Sequence, residues 1–409
     1  MSSPSWQGIT FGVELEFMTP CPSNKHIWRF SCPSAAARIN IAERLARSLA
    51  VPIACECQHD PDKKCAVCDQ IPERYLYGGT RILSFPTAVP NGTMLRDCCF
   101  LFKPEFIDRR DELSLQRCWP PVEISSPIFH SGELHAGLPT MGAVLSSIRT
   151  MGLNITADSG CGMHVHVGVE KGMTLLLAKK ISTLVVLLET NLLLPLVAPT
   201  RWNNEYAMPV SERSDAATDP VPQHVDTTLL DQHLPPMDFM QPGTWNNNNV
   251  ERIYGMLKNV WSAHSLPNLS QQLRRDGIHR CGFTLALRTH QGKANEGIFT
   301  ENFENSPSTV EFRYSQMTFD NVLLRNWTEI VARIVVLAQA DADEYKERVK
   351  SILQLIYEAE SDGKAAWKLL MRYILKLQHR VPEWEAQLDK FKRGEYISHM
   401  DEYMLLISA

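Results

Sequence analysis

The run Gly160 to Val169, GCGMHVHVGV, constrains this chain more than any other stretch, because it is apolar, short and carries a histidine at two positions spaced by two. Side chains alternate along a strand, so His164 and His166 share one face while Met163, Val165 and Val167 share the other. Three further segments repeat the arrangement. FGVELEF sets Glu14 and Glu16 opposite Val13, Leu15 and Phe17, VEISSP sets Glu123 between Val122 and Ile124, and TVEFRY sets Glu311 and Arg313 opposite Val310, Phe312 and Tyr314. Each strand then has one oily face to bury and one face rich in charge. Such strands, far apart in sequence, suit an α+β fold in which a largely antiparallel sheet packs helices on one side and receives substrate on the other.

At 409 residues the chain can bury a large core, and its 44% hydrophobic and 21% charged residues argue against disorder or a fibrous repeat. A formal charge of −5 gives no electrostatic reason to expect nucleic acid or an anionic membrane as a partner. The stretch Met173 to Ala198 is the oiliest, but Lys179, Lys180, Glu189 and Pro195 interrupt it. A bilayer span needs about 20 apolar residues, so this stretch reads as a core helix. The opening MSSPSWQGITFG lacks the charged and apolar regions of a secretory signal, which leads us to expect a cytoplasmic protein.

Helical spacing recurs over Ala35 to Ala50, with Ile41, Leu45 and Leu49 on one stripe, from about Pro139 to Met151, and from about Val250 to Ala263. Between the first two lies an insert, residues 54–70, in which Cys55 and Cys57 precede Cys65 and Cys68. Two such pairs can hold a structural zinc ion, or they are incidental cysteines of an exposed insert. An odd total of 11 cysteines without regular spacing fits a reducing compartment. Residues 201–249 are rich in Pro, Asn and Asp and weak in periodicity, as an irregular lid-like loop would be. RCGFTLALRTHQGK reads as one more alternating strand ending in Arg288 and Lys293, and beyond Asn321 the chain reads as helical to its end. The domain organisation expected is a catalytic domain over 8–340 and a helical extension over 341–409.

Carboxylates mixed with imidazoles, without a cysteine on these strands, suit magnesium or manganese carried on a nucleotide better than structural zinc. Arg313, Arg288 and Lys293 could neutralise a transferring phosphoryl group. The Walker sequence is absent, which rules out one way of holding ATP. GCGMHV lacks the third glycine of a dinucleotide loop and runs directly into a strand.

FGVELEF, VEISSP, GCGMHVHVGV and TVEFRYSQMTFD, in that order, resemble the signature segments of the amidoligase family of the fungal type, related to the carboxylate-amine ligases of the glutamine synthetase and glutamate-cysteine ligase fold. The resemblance spans roughly residues 8–340. It implies a curved antiparallel sheet, ATP and magnesium or manganese, and an amide bond formed through an acyl phosphate from small-molecule or peptide substrates. It implies Glu14, Glu16, Glu123, His164 and Glu311 as metal ligands, His166 beside the phosphates and Arg313 at the transferred phosphoryl group. Arg201, in PTRWNNEY, resembles a pocket arginine of the family. An acidic element upstream of VEISSP has no clear counterpart, Asn91 being the nearest.

A rival reading is a cupin-like metal oxygenase, because His164, His166 and Glu170 follow the spacing His-x-His-x-x-x-Glu. It needs a later histidine, for which His224 and His233 are the candidates, and it leaves Glu14, Glu16, Glu123 and Arg313 without a role. A binding protein or inactive relative that keeps the sheet is the third reading, against which the full set of carboxylates argues.

Overall fold

The computed structural model describes residues 6–20, 33–56, 76–77, 80–84, 95–105, 107, 119–222, 226–236, 239, 247–289, 292–293 and 303–407. Its strands run, in chain order, β1 Ile9–Met18, β2 Ile53–Glu56, β3 Leu76–Tyr77, β4 Thr80–Ser84, β5 Phe100–Pro104, β6 Pro121–Ser125 and β7 Phe129–His130. They continue with β8 Met163–Val169, β9 Arg274–Arg275, β10 His279–Arg280, β11 Phe283–Ala286, β12 Arg288–Thr289, β13 Gly292–Lys293 and β14 Thr309–Phe312. The main sheet is open and mostly antiparallel, as the separated strands with one polar face led us to expect. The chain divides into a strand-rich unit, Gly12–His164, Gln316–Arg325 and Ile397–Ala409, and a helix-rich unit, Met1–Phe11, Val165–Ser315 and Asn326–Tyr396.

In the strand-rich unit β1 pairs antiparallel with β6, placing Glu14 opposite Ser125, Leu15 opposite Ile124 and Glu16 opposite Glu123. Strand β6 pairs antiparallel with β5, so Lys103 lies opposite Glu123 and Phe102 opposite Ile124. Strand β5 pairs parallel with β2. Leu15, Ile124 and Phe102 form a buried row that alternates with the charged row, which is the period of two read from the sequence. The helix Pro33–Ser48 packs on β2, β4 and β5 and carries the fully buried Ile41 and Leu45. Its neighbour, Pro139–Thr150, starts on a proline, and Glu133 accepts from the Thr140 N–H at 2.7 Å and from its hydroxyl at 3.0 Å. Both groups thus find a partner in one carboxylate at the helix start.

Helix does not continue to the end of the chain. Past Gly394, whose φ of 83° ends the helix Val381–Lys392, the last residues leave helical geometry. The Leu406 N–H donates to the Ile155 carbonyl at 2.8 Å, and Leu405 bridges Thr156.

In the helix-rich unit β8 pairs antiparallel with β14 and β14 with β11, which aligns His166, Glu311 and Thr284 in one row and Val165, Phe312 and Phe283 in the next. The expected single strand over RCGFTLALRTHQGK is instead divided among β10, β11, β12 and β13, with a break at Gly282. A Cβ there would lie 2.3 Å from the Tyr314 ring, so only glycine fits. The helix Leu175–Leu188 is buried around nearly its whole circumference, and Lys179 and Lys180 are buried with it. Burial lowers both ammonium groups from their ordinary value. Each ends on a carbonyl, Lys179 on Trp261 at 2.7 Å and Lys180 on Ala340. Among the described residues no helix is long and apolar enough to cross a membrane.

The stretch 201–249 is not irregular throughout. Its described part holds the short helices Val210–Arg213, Asp215–Thr218 and Thr228–His233, and the helix Asn247–Ser262 begins inside it. Helices of four to six residues are too short to show a period in the sequence.

Candidate active site

The strand-rich unit gathers carboxylates because even-numbered residues of β1 and odd-numbered residues of β5 and β6 share one face. Glu16 Oε2 accepts the Gly162 N–H at 2.7 Å, and Glu16 Oε1 lies 3.4 Å from His164 Nε2. Glu14 Oε2 lies 3.6 Å from His164 Nδ1. Glu123 Oε1 accepts from Ser125 Oγ at 2.7 Å and from Lys103 Nζ at 2.9 Å. Lys103 also reaches Glu14 Oε1 at 3.3 Å. Burial, and then the charge of Glu14, push the Glu123 carboxyl well above the usual carboxylate range, against the opposing pull of Lys103 and Ser125. Burial alone would lower the Lys103 ammonium, but Glu14 and Glu123 reverse this and hold it above its ordinary value.

Glu105, just past β5, joins this group. Glu16, Glu105 and Glu123 each bring an oxygen within 4.8 Å of the other two. Three carboxylate oxygens this close could hold a metal ion.

The helix-rich unit builds a group of opposite character around Glu311, which is fully buried. Arg313 Nη1 binds Glu311 Oε1 at 2.5 Å and Arg280 Nη1 binds Oε2 at 3.2 Å. His166 Nε2 lies 3.9 Å from Glu311, and its Nδ1 is 3.1 Å from Thr309 Oγ1. Arg201 is also fully buried, and its guanidinium donates to the carbonyls of Arg313 at 2.9 Å and of Tyr314 at 3.3 Å. It therefore fixes the backbone on which Arg313 stands. Below it, Glu189 accepts from the N–H groups of Val210 at 2.7 Å and Ser211 at 2.8 Å and from the Tyr314 hydroxyl. Burial raises Glu189 above the usual carboxylate range, although these donors oppose the shift.

The structure thus brings Glu14, Glu16, Glu123 and His164 together in one unit and His166, Glu311, Arg313 and Arg201 together in the other. Arg288 is half-buried on β12, where its N–H donates to Ser308 Oγ at 2.9 Å and its register partner is Lys293. The Lys293 side chain, Asn91, His224, Cys57, Cys65 and Cys68 lie outside the described residues. Cys55 is buried on β2, with its thiol 3.7 Å from the Glu56 carbonyl. Of the cupin-like set, Glu170 is exposed, and His233 is engaged with the Leu229 carbonyl at 2.8 Å and the Trp261 ring at 5.1 Å.

Three participants were not singled out from the sequence: Lys103, Glu105 and Arg280. FLFKPEF places Lys103 and Glu105 two apart opposite Phe102 and Pro104, the same signal as Glu14 and Glu16 in VELEF. Glu105 supplies an acidic residue upstream of VEISSP, where Asn91 was the nearest candidate.

The sequence pattern of the family described as "putative amidoligase enzyme" matches residues 7–214. The chain belongs to the amidoligase family. The matched span holds β1, β5, β6 and β8, hence the whole carboxylate group of the strand-rich unit. It ends well short of the residue 340 suggested by resemblance, so β14, with Glu311 and Arg313, lies beyond it. No curated protein matches the chain. Membership of the amidoligase family identifies a ligase-type enzyme, and its acidic cluster can hold a metal ion.

Proposed function

We propose that this amidoligase is an ATP-dependent carboxylate-amine ligase that forms an amide bond through an acyl-phosphate intermediate. The supporting observation is the pairing of two groups of opposite charge demand with two histidines of one strand. His164 stands with Glu14 and Glu16, and His166 stands with Glu311.

Glu16, Glu105 and Glu123, with Glu14 and His164 beside them, would hold magnesium or manganese. Bound there, the ion would offset negative charge on the polyphosphate of ATP. Arg313 is the residue we assign to the transferred phosphoryl group, where a guanidinium offers paired donors to phosphate oxygens. Arg201 keeps the backbone of Arg313 in place, and His166 donates to a phosphate oxygen. Arg288 and Lys293 add positive charge for the nucleotide. A carboxylate oxygen of the acid attacks the γ-phosphorus and ADP leaves. The amine nitrogen then attacks the acyl carbon, phosphate departs, and the nitrogen gives up a proton. Such residues act by positioning and by electrostatics, which supply most of the catalysis in phosphoryl transfer.

The test is an ATP-turnover screen over carboxylic acids and amines, with hydroxylamine as a small trapping nucleophile. An acid-dependent hydroxamate formed together with ADP is the expected result. Release of AMP and pyrophosphate would replace the acyl phosphate by an adenylate, and oxygen-dependent turnover without ATP would favour the cupin-like reading.

A further inference from the structure

We propose that Lys103 is the resident counter-cation of the carboxylate group, and that a divalent metal and the Lys103 ammonium compete for the same glutamate oxygens. The inference rests on the reading of Glu14, Glu16, Glu105 and Glu123 as a metal site. The register of β5 on β6 puts Lys103 directly opposite Glu123. Its Nζ then lies 2.9 Å from Glu123 Oε1 and 3.3 Å from Glu14 Oε1. Ser125 Oγ donates to Glu123 Oε1 at 2.7 Å, with Glu14 Oε1 3.3 Å from the same hydroxyl. Glu123 Oε1 thus already accepts from both Lys103 and Ser125, and Glu14 Oε1 from Lys103, so a metal that takes either oxygen competes with the ammonium for it.

Ser125 is buried on its strand, and its short side chain cannot withdraw far. Lys103 can: its side chain is 26% exposed, and a four-carbon stem lets the ammonium swing into solvent. Without metal, the ammonium screens carboxylates that would otherwise repel one another across β1, β5 and β6. With metal, it is released and becomes available to an anionic group of the substrate. Lys103 is thus a positioning residue for the empty site and a counterweight to metal affinity.

Lys103→Met keeps most of the stem and removes the charge. Manganese binding to nucleotide-free protein, followed by electron paramagnetic resonance, should tighten about tenfold, since one competing positive charge is gone. The variant should melt below wild type without metal and recover with manganese. Lys103→Arg, whose planar fork grips carboxylates more firmly, should bind manganese about tenfold more weakly than wild type. This second variant keeps the charge and serves if Lys103→Met does not fold. Wild-type manganese affinity in either folded variant, or weaker binding by Lys103→Met, would overturn the competition while leaving the metal reading in place. No manganese binding by any of the proteins would overturn the metal reading, and the proposal with it.

Discussion

The carboxylate group of the strand-rich unit and the Glu311 group of the helix-rich unit use the same residue types in opposite proportions. In the first, Glu16, Glu105 and Glu123 gather with Glu14 beside them, and Lys103 binds Glu14 and Glu123. In the second, a single glutamate, Glu311, is held by two arginines, Arg280 and Arg313. The first is short of positive charge and the second has it in excess. A cation therefore suits one and an anion the other, the division that the proposed ATP-dependent reaction calls for. The difference also teaches that a glutamate on a polar strand face is not one kind of residue. Glu123 is pushed toward its protonated form by burial and by Glu14, whereas Glu311 lies against two permanent cations.

The comparison can be broken most forcefully at the carboxylates. Glu16→Gln or Glu123→Gln should lower ATP turnover by about 10³-fold or more and abolish manganese binding, because a neutral amide oxygen is a poor substitute for a carboxylate ligand. Turnover near wild type in both would remove the group from catalysis. Arg313→Met should cost about 10² to 10³-fold in kcat, the usual loss when one electrostatic donor to the transition state is removed. Manganese binding should stay within about twofold of wild type, since Arg313 belongs to the other group. Loss of manganese binding in this variant would show that the two groups do not divide the work as described.

Smaller effects should appear in stability. Glu311→Gln leaves Arg280 and Arg313 facing each other over a neutral side chain, and should cost about 3 kcal/mol in chemical denaturation. Glu14→Gln removes one of several repelling carboxylates but also a partner of Lys103, so it should change stability by no more than about 1 kcal/mol. Equal effects of the two substitutions would erase the distinction between the groups.

The strand faces were legible in the sequence because a period of two survives wherever one side is buried: FGVELEF, VEISSP and MHVHV each carry their polar residues on one side. What the alternation could not reveal was register. Lys103 and Glu105 follow the same period, but their place in the carboxylate group comes from β5 lying beside β6, a pairing between residues 20 apart at Lys103 and Glu123. Arg280 belongs to a strand of two residues, too short for any periodic signal. Arg201 was legible only through its resemblance to a pocket arginine of the family. That it is buried against the carbonyls of Arg313 and Tyr314 depends on contacts more than 100 residues apart.

The most direct measurement of the central claim is phosphorus nuclear magnetic resonance of the products formed from ATP and an acid substrate whose carboxylate is labelled with oxygen-18. An acyl phosphate requires that one carboxylate oxygen leave on phosphate when the amine attacks. Labelled inorganic phosphate beside unlabelled ADP, with amide and phosphate in equal amounts, is the expected result. Label in AMP, or unlabelled phosphate accompanying the amide, would contradict it.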